Sequence, residues 1–349
     1  MGKNSITRIH YLDNIKWLLT IVMMMHYVFI YTQEMYPKYK ENFDNVSSLD
    51  QTFFIDFFFL ISGYFVIPSY LKKGQKLFNK DKIIRLGSVI LFTIFIVNYI
   101  HYHISKQNDS IGYQVWLFDH LVNLQWKNII GSSWFCWMLL IFTLIWSQFS
   151  KNKSFNKNHC LPLPTYTHML FFCFFMIPFN FIALLLSYKC NNDFLGMYNI
   201  KYFPTYASVF YLGIISYQNK WFDKIDFKYG FFGFILFSFF YCLENGWILI
   251  GCHFNNAIFR TFCSVGMILF LLYVFKIYFY QSNKMTRMLS KSSYLACAFS
   301  FILIVTLIHF FIQHFSIHPW LLLLLTSTVV IISYFILSIS LYRLTNVRG

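Results

Sequence analysis

Apolar runs long enough to cross a lipid bilayer recur along the whole chain, and they limit its fold more than any other feature. The last of them, from Trp320 to Tyr342, carries no charge at all. A water-soluble core ends its apolar runs within about 10–14 residues, whereas a bilayer demands about 20. Composition agrees. Apolar residues make up 58% of the chain and charged residues 12%, against about 25% charged in soluble domains. Mean hydropathy is +0.53. In lipid every backbone amide must be paired within the chain, so such runs must be helices or closed barrels. Runs of about 20 residues select helices. The expected fold is all-α, a single polytopic membrane helix bundle covering 1–349.

Ten spans are expected, at roughly 12–32, 53–70, 87–105, 128–149, 166–187, 203–218, 229–247, 257–278, 294–314 and 320–342. The first run lacks the small-residue cleavage site of a signal peptide and is expected to be an uncleaved span. Loop charges orient the bundle, because the cytoplasmic side is the Lys/Arg-rich side. With both termini placed inside, the inner loops gather most of the 28 Lys and Arg. The richest is the run Lys72, Lys73, Lys76, Lys80, Lys82 and Arg85. Only Lys38, Lys40, Lys106, Lys127, Lys189, Lys201 and Arg260 fall on the other side. Connections are short, and no repeat suggests a two-half transporter.

The formal charge of +15 fits basic loops beside anionic head groups. No basic, aromatic-interleaved soluble module is present, so no nucleic acid is expected as a partner. The eight Cys include no C-x-x-C pair and no Cys/His cluster at metal spacing, so no metal is expected. Cys136, Cys173, Cys263 and Cys297 lie in apolar runs, where a thiol acts as a small hydrophobe. Cys190 and Cys252 fall in expected outer loops, where pairing is open.

Ionisable groups inside spans are costly, so each is a candidate for function. The first span holds Asp13, Lys16 and His26. Asp13 and Lys16 are three apart and share a helix face. His26 lies about 15 Å further along, toward the outer half. An imidazole there suits a general base for a hydroxyl, or equally a hydrogen-bonded packing group. In the second span Asp56 sits in a Phe-rich run and needs a cation or a hydroxyl as partner. Ser62-Gly63 offers a small surface for close helix approach. The basic run from Lys72 to Arg85 suits the phosphates of an anionic donor, or the positive-inside rule alone.

Several segments, in order, resemble the membrane-bound acyltransferase family often called acyltransferase 3. They are Tyr11-Leu12-Asp13-Asn14-Ile15-Lys16-Trp17 with His26; Asp56-Phe57-Phe58-Phe59-Leu60-Ile61-Ser62-Gly63-Tyr64-Phe65; Lys80-Asp81-Lys82-Ile83-Ile84-Arg85-Leu86-Gly87; Trp134-Phe135 with Leu139-Leu140-Ile141-Phe142; and Tyr202-Phe203-Pro204-Thr205-Tyr206 leading to Phe210-Tyr211-Leu212-Gly213 and Trp221-Phe222-Asp223-Lys224. The matches cover about the first two thirds of the chain. The resemblance implies an enzyme moving an acyl group, commonly acetyl, from an acyl-CoA donor such as acetyl-CoA to a hydroxyl of a cell-envelope glycan or similar acceptor. It implies a multi-pass protein of the cell (inner or plasma) membrane, touching membrane lipid, with no bound cofactor. It also implies catalytic roles for His26, Asp56 and Lys16, with Asp13 as alternative helper, and donor binding by Lys16, Lys82 and Arg85.

The sequence also departs from the family pattern. Nine residues separate Lys16 from His26 where the family has ten, and Tyr27 takes the family's His position. An Arg common in the fifth span is replaced within Phe181–Leu185, and a His common in the ninth span by Ser300. These departures keep a second expectation open, a catalytically impaired member acting as a carrier or assembly factor for envelope polymers. An ion-coupled transporter is expected to carry more intramembrane acids than Asp56.

Overall fold

The computed structural model describes residues 10–39, 43, 52–105, 112–151, 161–189, 200–244, 256–281 and 283–346. Cys190 and Cys252 lie outside the described residues, as do the basic residues Lys3 and Arg8. Among the described residues the regular structure is helical throughout. The α-helices are α1 (His10–Met35), α2 (Phe54–Tyr64), α3 (Val66–Phe92), α4 (Asn98–Ser105), α5 (Tyr113–Val122), α6 (Trp126–Ile130), α7 (Trp134–Phe149), α8 (Tyr166–Lys189), α9 (Phe203–Asn219), α10 (Trp221–Lys224), α11 (Phe227–Glu244), α12 (Asn256–Tyr278), α13 (Lys284–His314) and α14 (Pro319–Asn346).

Seven helical stretches are long and apolar enough to cross a membrane: His10–Met35, Val66–Ile104, Trp126–Phe149, Tyr166–Lys189, Ile258–Tyr278, Lys284–His314 and Pro319–Arg343. The expected second, sixth and seventh spans fall on α2, α9 and α11, which have 11, 17 and 18 residues. α9 and α11 lie at the lower limit of about 17 residues for a crossing, and α2 falls well short of it. The outward faces confirm the solvent these helices are built for. On α8, Phe171, Phe174, Phe175, Phe179 and Phe181 are all exposed, an apolar face that water would not tolerate on a monomer.

Two elements differ from the sequence expectation. The basic run Lys72–Arg85 is helical rather than a loop, because α3 starts at Val66 and continues through it. Charged Lys side chains are good helix formers. Only Gly74 breaks the pattern, at φ 72 and ψ 164, a conformation that costs an L side chain most. Secondly, the connection beyond 105 contains the extra helix α5, where the sequence suggested only a short outer loop. Its Tyr113 hydroxyl donates to the Ile94 carbonyl, which docks α5 on the π-helical turn Thr93–Val97.

The centre of the bundle is α2, every residue of which is buried. It packs on α9 through two glycines. A Cβ on Gly63 would lie 2.0 Å from the Phe210 carbonyl oxygen, and one on Gly213 2.1 Å from that of Leu60. The two backbones therefore touch directly, as small residues allow in membranes. Gly213→Ala is expected to destabilise the protein by about 1–3 kcal/mol through overpacking. Gly87→Ala, where the new Cβ meets nothing within 4 Å, should leave stability unchanged or slightly raised. Thermal unfolding of the two detergent-solubilised variants checks this, and equal melting would refute the close-contact account.

Candidate functional site

A cavity of about 460 Å³ opens between α1, α2, α4, α5 and the segment 126–134, with Phe301 of α13 closing one side. Asn98 shapes its mouth. Its amide donates to the Ile129 and Asn128 carbonyls at 2.7 and 3.3 Å, fixing the turn where Gly131 takes φ 49. The preceding π-helical turn is a feature often found at functional sites. Val97 at its end and Asn98 after it both reach the cavity wall.

His26 is on that wall and only 4% exposed. Its ring lies 5.2 Å from Phe54 and 5.8 Å from Tyr27, centroid to centroid. Tyr27 borders the same cavity and meets Phe301 edge-on at 4.4 Å. Adjacent helix positions differ by about 100°, yet both rings border one space because the α1 residues that line it, His26, Tyr27, Ile30, Tyr31 and Glu34, form one broad helix face. The register shift relative to the family therefore leaves His26 facing the cavity. The rest of the lining is aromatic and polar, with Tyr31, Trp116 and Trp134 beside Asn98, Asn128, His101, Lys127 and Glu34.

Asp56 is elsewhere. It is fully buried and accepts from Arg260 Nε at 3.2 Å, with Arg260 itself 1% exposed. The guanidinium lies over Tyr202 at 4.1 Å and Tyr206 at 5.5 Å. A buried carboxylate requires such a partner, since an isolated charge in a medium of low dielectric is very costly. Asp56 is thus held in an ion pair with α12, and its partner is a cation, one of the two kinds the sequence called for. Arg260, which the loop-charge count assigned to the outer side, is buried within the helices. Around it, Asn180, Thr205 and Thr261 form a closed buried set. The Asn180 amide donates to Thr261 Oγ1 at 3.0 Å, and the Thr205 hydroxyl donates to Asn180 Oδ1 at 3.2 Å. Of the segment 181–185, where the fifth-span Arg was expected to be replaced, Phe181, Ile182 and Leu185 are exposed while Ala183 and Leu184 are buried.

Lys82 lies near the other end of α1, where Arg85, Lys16, Lys73 and Asp81 are all close enough to act on it electrostatically. The Lys16 ammonium is 4.0 Å from the Phe65 ring centroid, and Lys82 lies 5.4 Å from Phe78. Asp81 pairs with Lys73 at 2.7 Å. Asp13 accepts from the Ser290 hydroxyl at 3.0 Å, which ties α1 to α13. Ser62 bonds the Tyr294 hydroxyl at 3.2 Å, so it joins helices rather than only permitting their approach. Ser300 is buried and donates to the Cys297 carbonyl at 2.8 Å.

Between the two ends lies a void of about 30 Å³, bordered by Cys136, Tyr294 and Cys297. It shares Tyr27, Ser132 and Phe301 with the large cavity. Such a space holds about one water. No group of three or more His, Cys, Asp or Glu suited to a metal occurs among the described residues.

Sequence reasoning missed Arg260 and His101 as site groups. Both had a usable signal, since each falls inside an expected span, 257–278 and 87–105, where a titratable group is costly. The cavity residues Trp116 and Lys127 had none, because only the packing of α5 and α6 brings them to α1.

The fold and cavity define a multi-pass membrane protein with a chamber of mixed aromatic and polar lining set within its helices. A family model of the acyltransferase domain, acyltransferase 3 type, matches residues 9–342. The chain belongs to this family and is a membrane acyltransferase by that membership. No curated protein and no solved structure matches it.

Proposed function

We propose that the protein is an O-acyltransferase that moves an acetyl group from acetyl-CoA to a hydroxyl of a cell-envelope glycan, in the inner or plasma membrane. In this reading both termini lie in the cytoplasm, on the side of the basic cluster. The observation that carries this reading is the arrangement along α1. Lys16 meets a basic cluster at one end, and His26, about 15 Å further on, walls an aromatic and amide-lined cavity.

The physical roles follow from that separation. Lys16, Lys82 and Arg85 attract the phosphates of the donor by charge-assisted hydrogen bonds. The pantetheine arm then has to reach inward past Tyr294 and Cys297, and the void there must widen to admit it, since about 30 Å³ is smaller than a thioester. In the cavity, flat rings such as Trp116 and Trp134 suit the C–H faces of a sugar. Asn98 and Asn128 suit its hydroxyls. Lining of this mixed kind is typical of small-molecule sites. His26 takes the proton from the acceptor hydroxyl as its oxygen bonds to the thioester carbonyl carbon. The tetrahedral intermediate collapses, the carbon–sulfur bond breaks, and the imidazolium returns the proton to the leaving thiolate. Asp56 acts on this site indirectly, by holding Arg260 and so the position of α2 and Phe54 against His26.

The test is transfer of labelled acetyl from acetyl-CoA in membranes holding the protein, with mass spectrometry of envelope glycans from cells with and without it. An acetyl-sized mass difference with matching label supports the reading. A changed surface polymer with no acetyl-CoA turnover would support a carrier or assembly role instead. Within the reading, Lys82→Gln combined with Arg85→Gln should raise KM for acetyl-CoA by about tenfold or more and leave kcat nearly unchanged, because the lost contacts bind the donor equally in ground and transition states. In the parent protein KM should rise with salt, and less so in the variant. An unchanged KM removes the basic cluster from donor binding.

A further inference from the structure

A second cavity, about 490 Å³, lies on the other side of α2 and shares no lining residue with the first. Leu60 borders it from the central helix, and Phe172, Leu212, Val265 and Leu269 line it from α8, α9 and α12. The non-helical segment 161–165 forms another part of its wall. That wall is built rather than slack. The Leu161 N–H donates to Asn219 Oδ1 at 2.6 Å, and Trp221 Nε1 donates to the Leu161 carbonyl at 3.1 Å. Pro162 and Pro164 stiffen the strip between by fixing φ.

Polar groups gather at one end of this groove. Thr165 Oγ1 and His168 Nδ1 are 2.6 Å apart there, and Ser216 lies on the same lining. Trp221, Phe222 and Ile225 also line the groove, and the exposed Lys220 and Lys224 lie between and beside them in sequence. Lys228 is exposed two residues beyond Asp226. The Lys276 ammonium donates to the Asp223 and Ile225 carbonyls at 2.6 and 2.7 Å. Two exposed carboxylates, Asp223 and Asp226, oppose these four cations, and Asp226 accepts from the Tyr229 N–H at 3.2 Å. The rim is net positive. Toward the Lys16–Phe65 contact the groove is shut by Phe222 stacked on Tyr64, 4.7 Å apart with planes at 10°.

We propose that this groove holds an acyl chain of an anionic phospholipid, with the lipid phosphate against Lys220 and Lys224. In a bilayer a tail gains little by exchanging lipid for an apolar groove, because both are equally apolar. Choice among lipids therefore comes from the head group, and basic residues at a membrane surface favour anionic ones by about fivefold each, hence about 25-fold for two. The closed Tyr64–Phe222 contact separates this groove from the side proposed to take the acyl donor. The proposal is independent of the acyl-transfer reading.

Native mass spectrometry of the full chain, released from nanodiscs mixing phosphatidylglycerol and phosphatidylcholine, tests it. One phosphatidylglycerol per chain should be retained, with a preference of about 25-fold. Lys220→Gln with Lys224→Gln should bring that preference near unity while a lipid stays bound. Val265→Trp should displace the lipid of either type. Leu212→Trp serves the same end from α9 should the first variant fail to elute as a single folded species. Equal retention of both lipids by the parent protein overturns the proposal. So does undiminished phosphatidylglycerol binding in the groove-filling variant that folds.

Discussion

His26→Ala is expected to lower acetyl transfer by about 10²–10⁴-fold, the usual contribution of a positioned general base, with the folded yield unchanged. The ring is nearly fully buried on the cavity wall, so an alanine there enlarges an existing space rather than opening a void in packed core. Loss should fall on kcat, since proton removal develops only in the transition state. Two neighbouring variants sharpen the result. Tyr27→Phe keeps the ring on Phe301 and loses only the hydroxyl, so transfer should stay within about threefold if the base is His26. His101→Ala acts on an exposed imidazole at the same cavity and should change acceptor KM more than kcat. Unchanged transfer in His26→Ala would remove this residue from the mechanism. A large loss in His101→Ala with a small one in His26→Ala would move the base to the other side of the cavity.

Arg260→Met is expected to cost about 3–5 kcal/mol of stability, because it leaves the Asp56 carboxylate buried without its cation. Asp56 is 0% exposed, so no water can replace the guanidinium unless the bundle opens. Combining Arg260→Met with Asp56→Asn should recover most of that loss, since removing both charges of a buried pair is often neutral. Yield of folded protein and thermal unfolding in detergent read both variants. If Arg260→Met melts as the parent does, the pair is not the clamp its burial implies. In the double variant acetyl transfer should persist at a reduced level, since the pair positions α2 and does not touch the acceptor in the proposed reaction.

Much of the helix pattern was legible because bilayer length and positive-inside charge are local properties of a sequence. Each of the ten expected spans falls largely on helix, and Lys16, named from a different segment than Lys82 and Arg85, lies close enough to Lys82 to act on it electrostatically. The helical basic run was not legible, since charge alone does not separate a loop from a helix that continues past the apolar zone. Helix α5 was missed because its ten residues are too few to register as a span. The partner of Asp56 was harder still. A carboxylate in a Phe-rich run announces that it needs a cation, and it says nothing about which helix supplies one.

By itself the sequence determined the solvent, the helical class and the need for partners of its intramembrane charges. These follow from the cost of burying polar groups in lipid, which each segment meets separately. Only the tertiary structure decided that Asp56 belongs to Arg260 across 204 residues, that His26 and Tyr27 share one cavity, and that a pinned proline strip walls a second groove. Those are matters of which helices become neighbours. In a membrane, where apolar faces are nearly interchangeable, that choice rests on a few close contacts such as Gly63 on Phe210 and Gly213 on Leu60 and on a few buried polar bonds.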